Sequence, residues 1–204
     1  MNASTPDERP RSSDRIDPRI TQTRRVVREA VLDELADAGF GGLTVESVAA
    51  RAGVGKSTIY RHWRDRLDLV ADALEQLNRQ PGPQPDGGTA RKQIEQLVHH
   101  FATAMGDPRL SATVPALIEA AERDASIAEF FHRYNAQRRQ TLVDAIAAGI
   151  EAGELPGHLD SELTALALIG PILYRRLMTG EPLSTAQVTD LVATAIGPEH
   201  RAWA

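Results

Sequence analysis

The sequence predicts an all-α protein of about nine helices, divided between a small N-terminal head and a larger helical body. Three observations carry this reading. Apolar residues recur at spacings of three and four, and no stretch shows the period-two alternation of a strand. The composition leans on Ala, Leu, Ile and Val with only 4% aromatic residues, and 42% apolar content supplies a core for 204 residues. Gly, Pro and capping side chains punctuate the periodic segments where helices would start and stop.

Residues 1–16 are polar and rich in Pro, Ser, Asp and Arg, so they read as a disordered arm. Asp17-Pro18 opens the first helix, with Asp as N-cap and Pro at the first helical position. Val27, Val31, Leu35 and Ala38 form its apolar line, and Gly39 ends it. Thr44 caps a second helix in which Val45, Val48, Ala49 and Ala52 repeat at i, i+3, i+4 and i+7. Leu43 before the cap and Val48 after it have the spacing of a hydrophobic staple. Gly53 stops that helix, and a third runs from Lys56 to Trp63. Asp65 caps a fourth, with Leu67, Val70, Ala71, Leu74 and Leu77 on one stripe.

The strongest break is Pro81 to Gly88, PGPQPDGG, which places a linker over residues 81–88 between a head at 17–80 and a body at 89–204. In the body, Ile94, Leu97, Val98, Phe101 and Met105 mark one helix, bounded by Gly106-Asp107-Pro108. Leu110 to Arg123 holds another, expected to be interrupted or kinked at Pro115. A long helix spans Ser126 to Ala152, and Leu163 to Met178 and Val188 to Ile196 supply the last two.

Composition narrows the chemistry. With no cysteine, disulfides, thiolate nucleophiles and cysteine-based zinc sites are excluded. His99, His100, His132 and His158 are scattered without metal-ligand spacing, and no Ser/His/Asp or paired-carboxylate set can be assembled, so no catalytic residue, metal or cofactor is assigned. No secretory signal is visible, and the longest uncharged stretch, Leu163 to Tyr174, falls short of the roughly 20 residues that span a bilayer. The expectation is a cytoplasmic protein without a membrane partner. The net charge of −5 argues against a protein that coats nucleic acid, but the charge is uneven. Residues 1–80 balance 13 basic against 13 acidic side chains, and the remainder holds 10 against 15. Between Ser47 and Arg64 there are four basic residues, Arg51, Lys56, Arg61 and Arg64, and no acid. A local basic face on an acidic body suits contact with DNA at one end.

That face coincides with a helix-turn-helix pattern. Two short helices flank Gly53-Val54-Gly55, and the second bears Lys56, Ser57, Thr58, Tyr60, Arg61 and His62. At about 100° per residue, Ile59 and Trp63 point inward, while Ser57, Thr58 and Arg61 point outward with Tyr60 and His62 on the shoulders. Arg61, Lys56 and the hydroxyls suit base edges or phosphates in a major groove, and Tyr60 and His62 suit phosphate. Thr44 with the helix start it caps, and Arg66, are further phosphate candidates, as are Arg24 and Arg25 on the first helix. Arg9, Arg11 and Arg15 give the arm a basic character that suits a flanking minor groove, but neighbouring acids dilute it, and Arg9 and Arg11 read more simply as a solvated tail. Gly55-Lys56-Ser57-Thr58 imitates a phosphate-binding P-loop, but the required first glycine is Ala50 and the preceding segment is a helix rather than a strand.

The segment TVESVAARAGVGKSTIYRHW followed by RDRLDLV resembles the TetR-type transcriptional regulators over Ile20 to Leu77. HLDSELTALALIGPILYRRLMTGEPL is similar to C-terminal segments of an actinobacterial-looking subset of that family. The resemblance implies a homodimer that binds a palindromic double-stranded DNA operator and is released by a small-molecule effector in the body. One departure is Arg66, where many members carry Lys; a phosphate contact would survive that change.

In the body, Phe101, Met105, Leu117, Phe130, Phe131 and Tyr134 gather the bulky side chains. At helical spacing they suit a core; the resemblance implies that Phe101, Met105, Leu117, Phe131 and Tyr134 line an effector cavity, with the Tyr134 hydroxyl orienting the ligand. Arg138 interrupts the apolar line of the long helix, and is expected either to pair with Glu119 or Glu122 or to receive an acidic effector. Leu163, Leu166, Ala167, Gly170, Leu173 and Leu177, with Val188, Leu191, Val192, Ala195 and Ile196, form two stripes expected to make a dimer surface. The expected function is a ligand-responsive transcriptional regulator, most simply a repressor. The rival from another class is a helical carrier or enzyme whose head is only structural.

Overall fold

A computed structural model describes residues 18–79 and 88–197. The expected arm at 1–16, with Arg9, Arg11 and Arg15, and residues 81–87 of the expected linker lie outside the described residues. Among the described residues there are nine α-helices and no strand.

The head begins with α1 (Pro18–Gly42), which carries a break at Gly39, where φ is 68° and ψ 176°. Only glycine reaches that backbone region without cost, so the helix stops where its apolar line ends. α2 (Val45–Ala52) starts in a capping box: Ser47 N–H donates to Thr44 Oγ1 at 3.0 Å and Thr44 N–H to Ser47 Oγ at 3.1 Å. Gly53, at φ 66°, closes it in a left-handed cap, and Val54 N–H returns to the Ala49 carbonyl at 3.0 Å. α3 (Lys56–His62) is two turns long, and α4 (Arg66–Arg79) follows with Asp65 accepting Asp68 N–H at 2.8 Å. α4 buries a wider face than its sequence stripe: Leu69, Val70, Ala73 and Leu74 are buried because α1 packs on one side and α7 on another.

The body contains α5 (Ala90–Gly106), α6 (Pro108–Ala121), α7 (Ala125–Glu151), α8 (Ser161–Tyr174) and α9 (Thr185–Ile196). Thr89, Asp107, Asp124, Asp160 and Ser184 each accept a backbone N–H from the first turn that follows. Pro115 does not interrupt α6, which stays continuous where it packs between α1 and α7. α8 stops short of Met178: one turn after Pro171 the chain widens into a π-helical turn, Arg175–Thr179, ended by Gly180 at φ 71°.

Two apolar cores result, and their border does not follow the expected linker. One joins Val31, Leu35 and Phe40 of the head, with Ile59 and Trp63, to Leu117 of α6 and to Ile127, Phe130 and Tyr134 in the first half of α7. The other packs α5, α8 and α9 around Leu142 and Ile146 in the second half of α7. Arg109 at the start of α6 adds a polar clasp, pairing with Asp33 and donating to the Glu29 carbonyl at 2.7 Å, both on α1. α9 places Val188, Val192 and Ile196 inside its own chain, so its stripe is buried against α5 and α8 rather than presented outward. On α8 the inward residues are Ala165, Leu168 and Ile172, while Leu163, Leu166 and Tyr174 stand 66%, 45% and 63% exposed.

The head is locked by one carboxylate. Asp72 on α4 accepts Arg28 Nε and Nη2, each at 2.9 Å, and the Trp63 indole N–H at 2.8 Å. Burial is the largest single influence and by itself would raise the Asp72 pKa. The hydrogen bonds from Arg28 and Trp63 and the charges of Arg28 and Arg24 together outweigh it, so the group lies below its ordinary 3.8. A lowered folded-state pKa stabilises the protein above the unfolded value, and that stability fades as pH falls through the folded value. Asp72→Asn should therefore cost about 1–3 kcal/mol at neutral pH. The gap from wild type should shrink below pH 3.8, as read by thermal denaturation across pH. A second prediction concerns Gly149 on α7, where a Cβ would lie 2.6 Å from Ala90 Cβ and 2.9 Å from Leu155 Cδ1. Gly149→Val should destabilise by about 1–3 kcal/mol in urea unfolding through overpacking.

Candidate nucleic-acid interface

α3 is held by its inward residues, Ile59 at 0% and Trp63 at 4% exposure. A free helix of two turns would not persist in water, so its rigidity comes from these anchors and from the bond of Trp63 to Asp72. The opposite face presents Lys56, Ser57, Tyr60 and Arg61 to solvent, with Tyr60 57% exposed. Thr58 is half-buried, its backbone N–H donating to the Gly55 carbonyl at 2.9 Å. His62 is also half-buried, its ring edge-on to Trp63 with centroids 5.6 Å apart.

The apparent run of unopposed basic residues is altered by folding. Lys56 Nζ lies 2.9 Å from Glu46 Oε1 in the first turn of α2. Their hydrogen bond, seconded by their charges, lowers the Glu46 pKa and raises that of Lys56. Arg51 turns back to Glu34 and Asp37 on α1, at 2.6 and 2.8 Å. Arg64 makes a looser contact of 3.6 Å with Asp68. Arg61 is exposed with no carboxylate at ion-pair distance among the described residues, so it is the cation most available to a groove.

The phosphate candidates around this helix divide. Thr44 is exposed and its hydroxyl already caps α2. Arg24 is half-buried, its guanidinium 6.0 Å from the centre of the Trp63 ring, with Nε buried and without a hydrogen-bond partner. Arg25 is exposed and pairs with Glu29 at 2.7 Å. Arg66 is engaged inside the protein: it lies 4.2 Å over the Phe40 ring and donates to the Leu43 carbonyl at 3.3 Å. Its charge also helps to lower the pKa of Asp124, after the larger hydrogen bonds from Ser126. In this position Arg66 braces the approach to α2. Glu46, Asp72 and Arg109 went unnoticed in the sequence, since each acts on a residue at least nine positions away.

The residues expected to line an effector site are divided between the two cores. Leu117 and Tyr134 are buried in the head-side core with Phe131 against them, whereas Met105 is buried in the other core with Phe101 packed beside it. The Tyr134 hydroxyl donates to the Leu74 carbonyl of α4 at 3.3 Å rather than standing free for a ligand. Arg138 pairs with neither Glu119 nor Glu122; it sits between the cores, 5.7 Å from the Phe101 ring and 5.6 Å from the Tyr134 ring. A groove of about 370 Å³ lies elsewhere, between α4 and α7, with Leu67, Ala71 and Phe130 in its wall.

Comparison with known proteins agrees with this architecture. Residues 27–73 match the family described as Bacterial regulatory proteins, tetR family, and residues 84–195 match the one described as Tetracyclin repressor-like, C-terminal domain. The chain is 32% identical to the uncharacterized HTH-type transcriptional regulator YdeS of Bacillus subtilis over 179 residues, covering 87% of this chain and 90% of that one. The crystal structure of the TetR family transcription regulator SCO0332 superposes with a TM-score of 0.63 at 30% identity, over 85% of this chain and 96% of that one. The regulator FadR from Bacillus subtilis, solved in complex with stearoyl-CoA, shares the fold with a TM-score of 0.66 at 17% identity, over 85% and 98%. With its anchored reading helix at one end and both halves of the family matched in order, the chain belongs to the TetR family of transcriptional regulators.

Proposed function

We propose that this DNA-binding regulator is a repressor that holds a palindromic operator as a homodimer and leaves it when a small-molecule effector occupies the helical body. The observation that carries the reading is the solvent-facing side of α3, where Lys56, Ser57, Tyr60 and Arg61 project from a helix fixed behind by Ile59 and Trp63. In this reading Arg61, Ser57 and Thr58 meet base edges, and Lys56 exchanges Glu46 for DNA. Tyr60, His62, Thr44, Arg24 and Arg25 hold phosphates, while Arg66 steadies the loop before α2. The head is residues 17–80, the linker 81–88 and the effector and dimer body 89–204. No enzymatic step is assigned to the protein, and it works in the cytoplasm; among the described residues no helix is long and apolar enough to cross a membrane.

Dimerisation is supported by α8. Leu163, Leu166, Ala167, Gly170 and Tyr174 lie on one exposed side of it, an apolar patch that a second copy would cover. Paired this way, two copies of α3 would enter successive major grooves about 34–36 Å apart. A small-molecule effector is supported by the stearoyl-CoA held by the FadR neighbour, although its 17% identity does not carry that ligand across. Release requires the effector to bind one arrangement of heads better than the other. The Tyr134–Leu74 bond and the Arg109 clasp are joints through which the body can bias the heads.

Arg61→Ala should weaken binding to a selected operator by about 1–3 kcal/mol and flatten its preference over random DNA. Fluorescence anisotropy with both DNAs at two salt concentrations measures this; unchanged discrimination removes Arg61 from base reading. Leu166→Asp should turn the dimer into a monomer in sedimentation at micromolar concentration and cut operator affinity sharply, with the helical circular-dichroism signal retained. A wild-type chain that sediments as a monomer would overturn the dimer.

A further inference from the structure

We infer that the effector is an organic acid, a carboxylate on an apolar body, and that Arg138 is its anchor; the inference rests on the ligand-responsive reading above and names the ligand's chemical class. Arg138 sits on α7 between Tyr134 and Leu142, at the seam of the two cores, and is only half exposed. A guanidinium withdrawn from water normally gains a carboxylate partner. Arg139, its half-buried neighbour on the same helix, does so with Glu162 at 2.7 Å. Arg138 has no carboxylate at ion-pair distance among the described residues. Glu119, one of the two acids that the sequence offered it, is held by Arg123.

What Arg138 does have is aromatic. Its guanidinium carbon lies 5.7 Å from the Phe101 ring centre and 5.6 Å from that of Tyr134, and Nη1 makes one long hydrogen bond of 3.4 Å to the Tyr134 hydroxyl. A guanidinium carries five N–H donors in a planar fork, so one long bond leaves most of that capacity unused. The complement of such a fork is a planar oxyanion, which it can grip through two parallel hydrogen bonds. Phe101, half-buried beside the guanidinium, offers apolar surface on which the rest of an acid would lie.

The position also connects to the head. The Tyr134 hydroxyl accepts from Arg138 and donates to the Leu74 carbonyl in the last turns of α4. An acid that draws the guanidinium to itself changes the partner of a hydroxyl that bonds α7 to that helix.

The test is a thermal-shift titration of the full chain with hexanoate, decanoate and benzoate, each beside its neutral primary amide, at pH 7.5. At least one acid should raise Tm, and its amide should bind about tenfold more weakly or worse. Arg138→Met should abolish the acid's shift while the ligand-free Tm stays at or above that of wild type, since no ion pair is lost. Arg138→Lys, which keeps the charge and loses the fork, should restore only part of the shift. A ligand-free Tm that falls in both variants assigns Arg138 a structural role and overturns the inference. So do acids and amides that shift Tm equally, an acid response that survives in Arg138→Met, or no shift with any of the acids. An amide that shifts Tm and releases DNA while its acid does neither sinks the acid and leaves the ligand-responsive reading standing.

Discussion

The bond between the Trp63 indole and Asp72 is the constraint on which the DNA-reading end depends. α3 is too short to be a helix on its own account, and a base-reading side chain needs a fixed backbone behind it. Ile59 gives the helix depth, and Trp63 gives it an end point. Asp72 fixes that end point twice, through the indole and through the two-pronged grip of Arg28 from α1. Two head helices, α1 and α4, and the residue that ends α3 thus meet at one carboxylate. Its lowered pKa reflects how much donor and positive charge has been gathered there to outweigh burial.

The pattern of charge pairing has a functional logic. Most described arginines are matched with a carboxylate, including Arg51, whose place in the sequence suggested the DNA face. Among the described residues, Arg24, Arg61 and Arg66 in the head, Arg138 at the seam of the cores and Arg176 in the turn after α8 have no carboxylate at ion-pair distance. Cations paired in this way add little non-specific attraction to a polyanion. The exposed pair Lys56–Glu46 is intermediate: it contributes little stability in water, and its cation can turn to a phosphate at small cost.

Head and body are mechanically continuous. The core of the head is completed by α6 and the first half of α7. Tyr134 ties α7 to α4, and α6 with Arg109 ties the body to α1. Packed interiors respond to shifts by moving between discrete arrangements.

Local chemistry made much of the molecule legible from sequence. Gly39 and Gly53 occupy backbone regions that suit glycine, Thr44 and Asp65 cap the helices that follow them, and the apolar stripes bury the faces they mark. Each of these depends on residues within about four positions, a range over which sequence and geometry are tied by the helical repeat. The inward side of α3, with Ile59 and Trp63, was legible for the same reason. Only the tertiary structure decided the rest. It brought Glu46 to Lys56, drew Arg51 to α1, folded Arg66 over Phe40, divided the expected cavity residues between two cores and turned the α9 stripe inward. Helical periodicity reports which side of a helix is apolar, but not which partner covers it or which distant charge a long flexible side chain will reach.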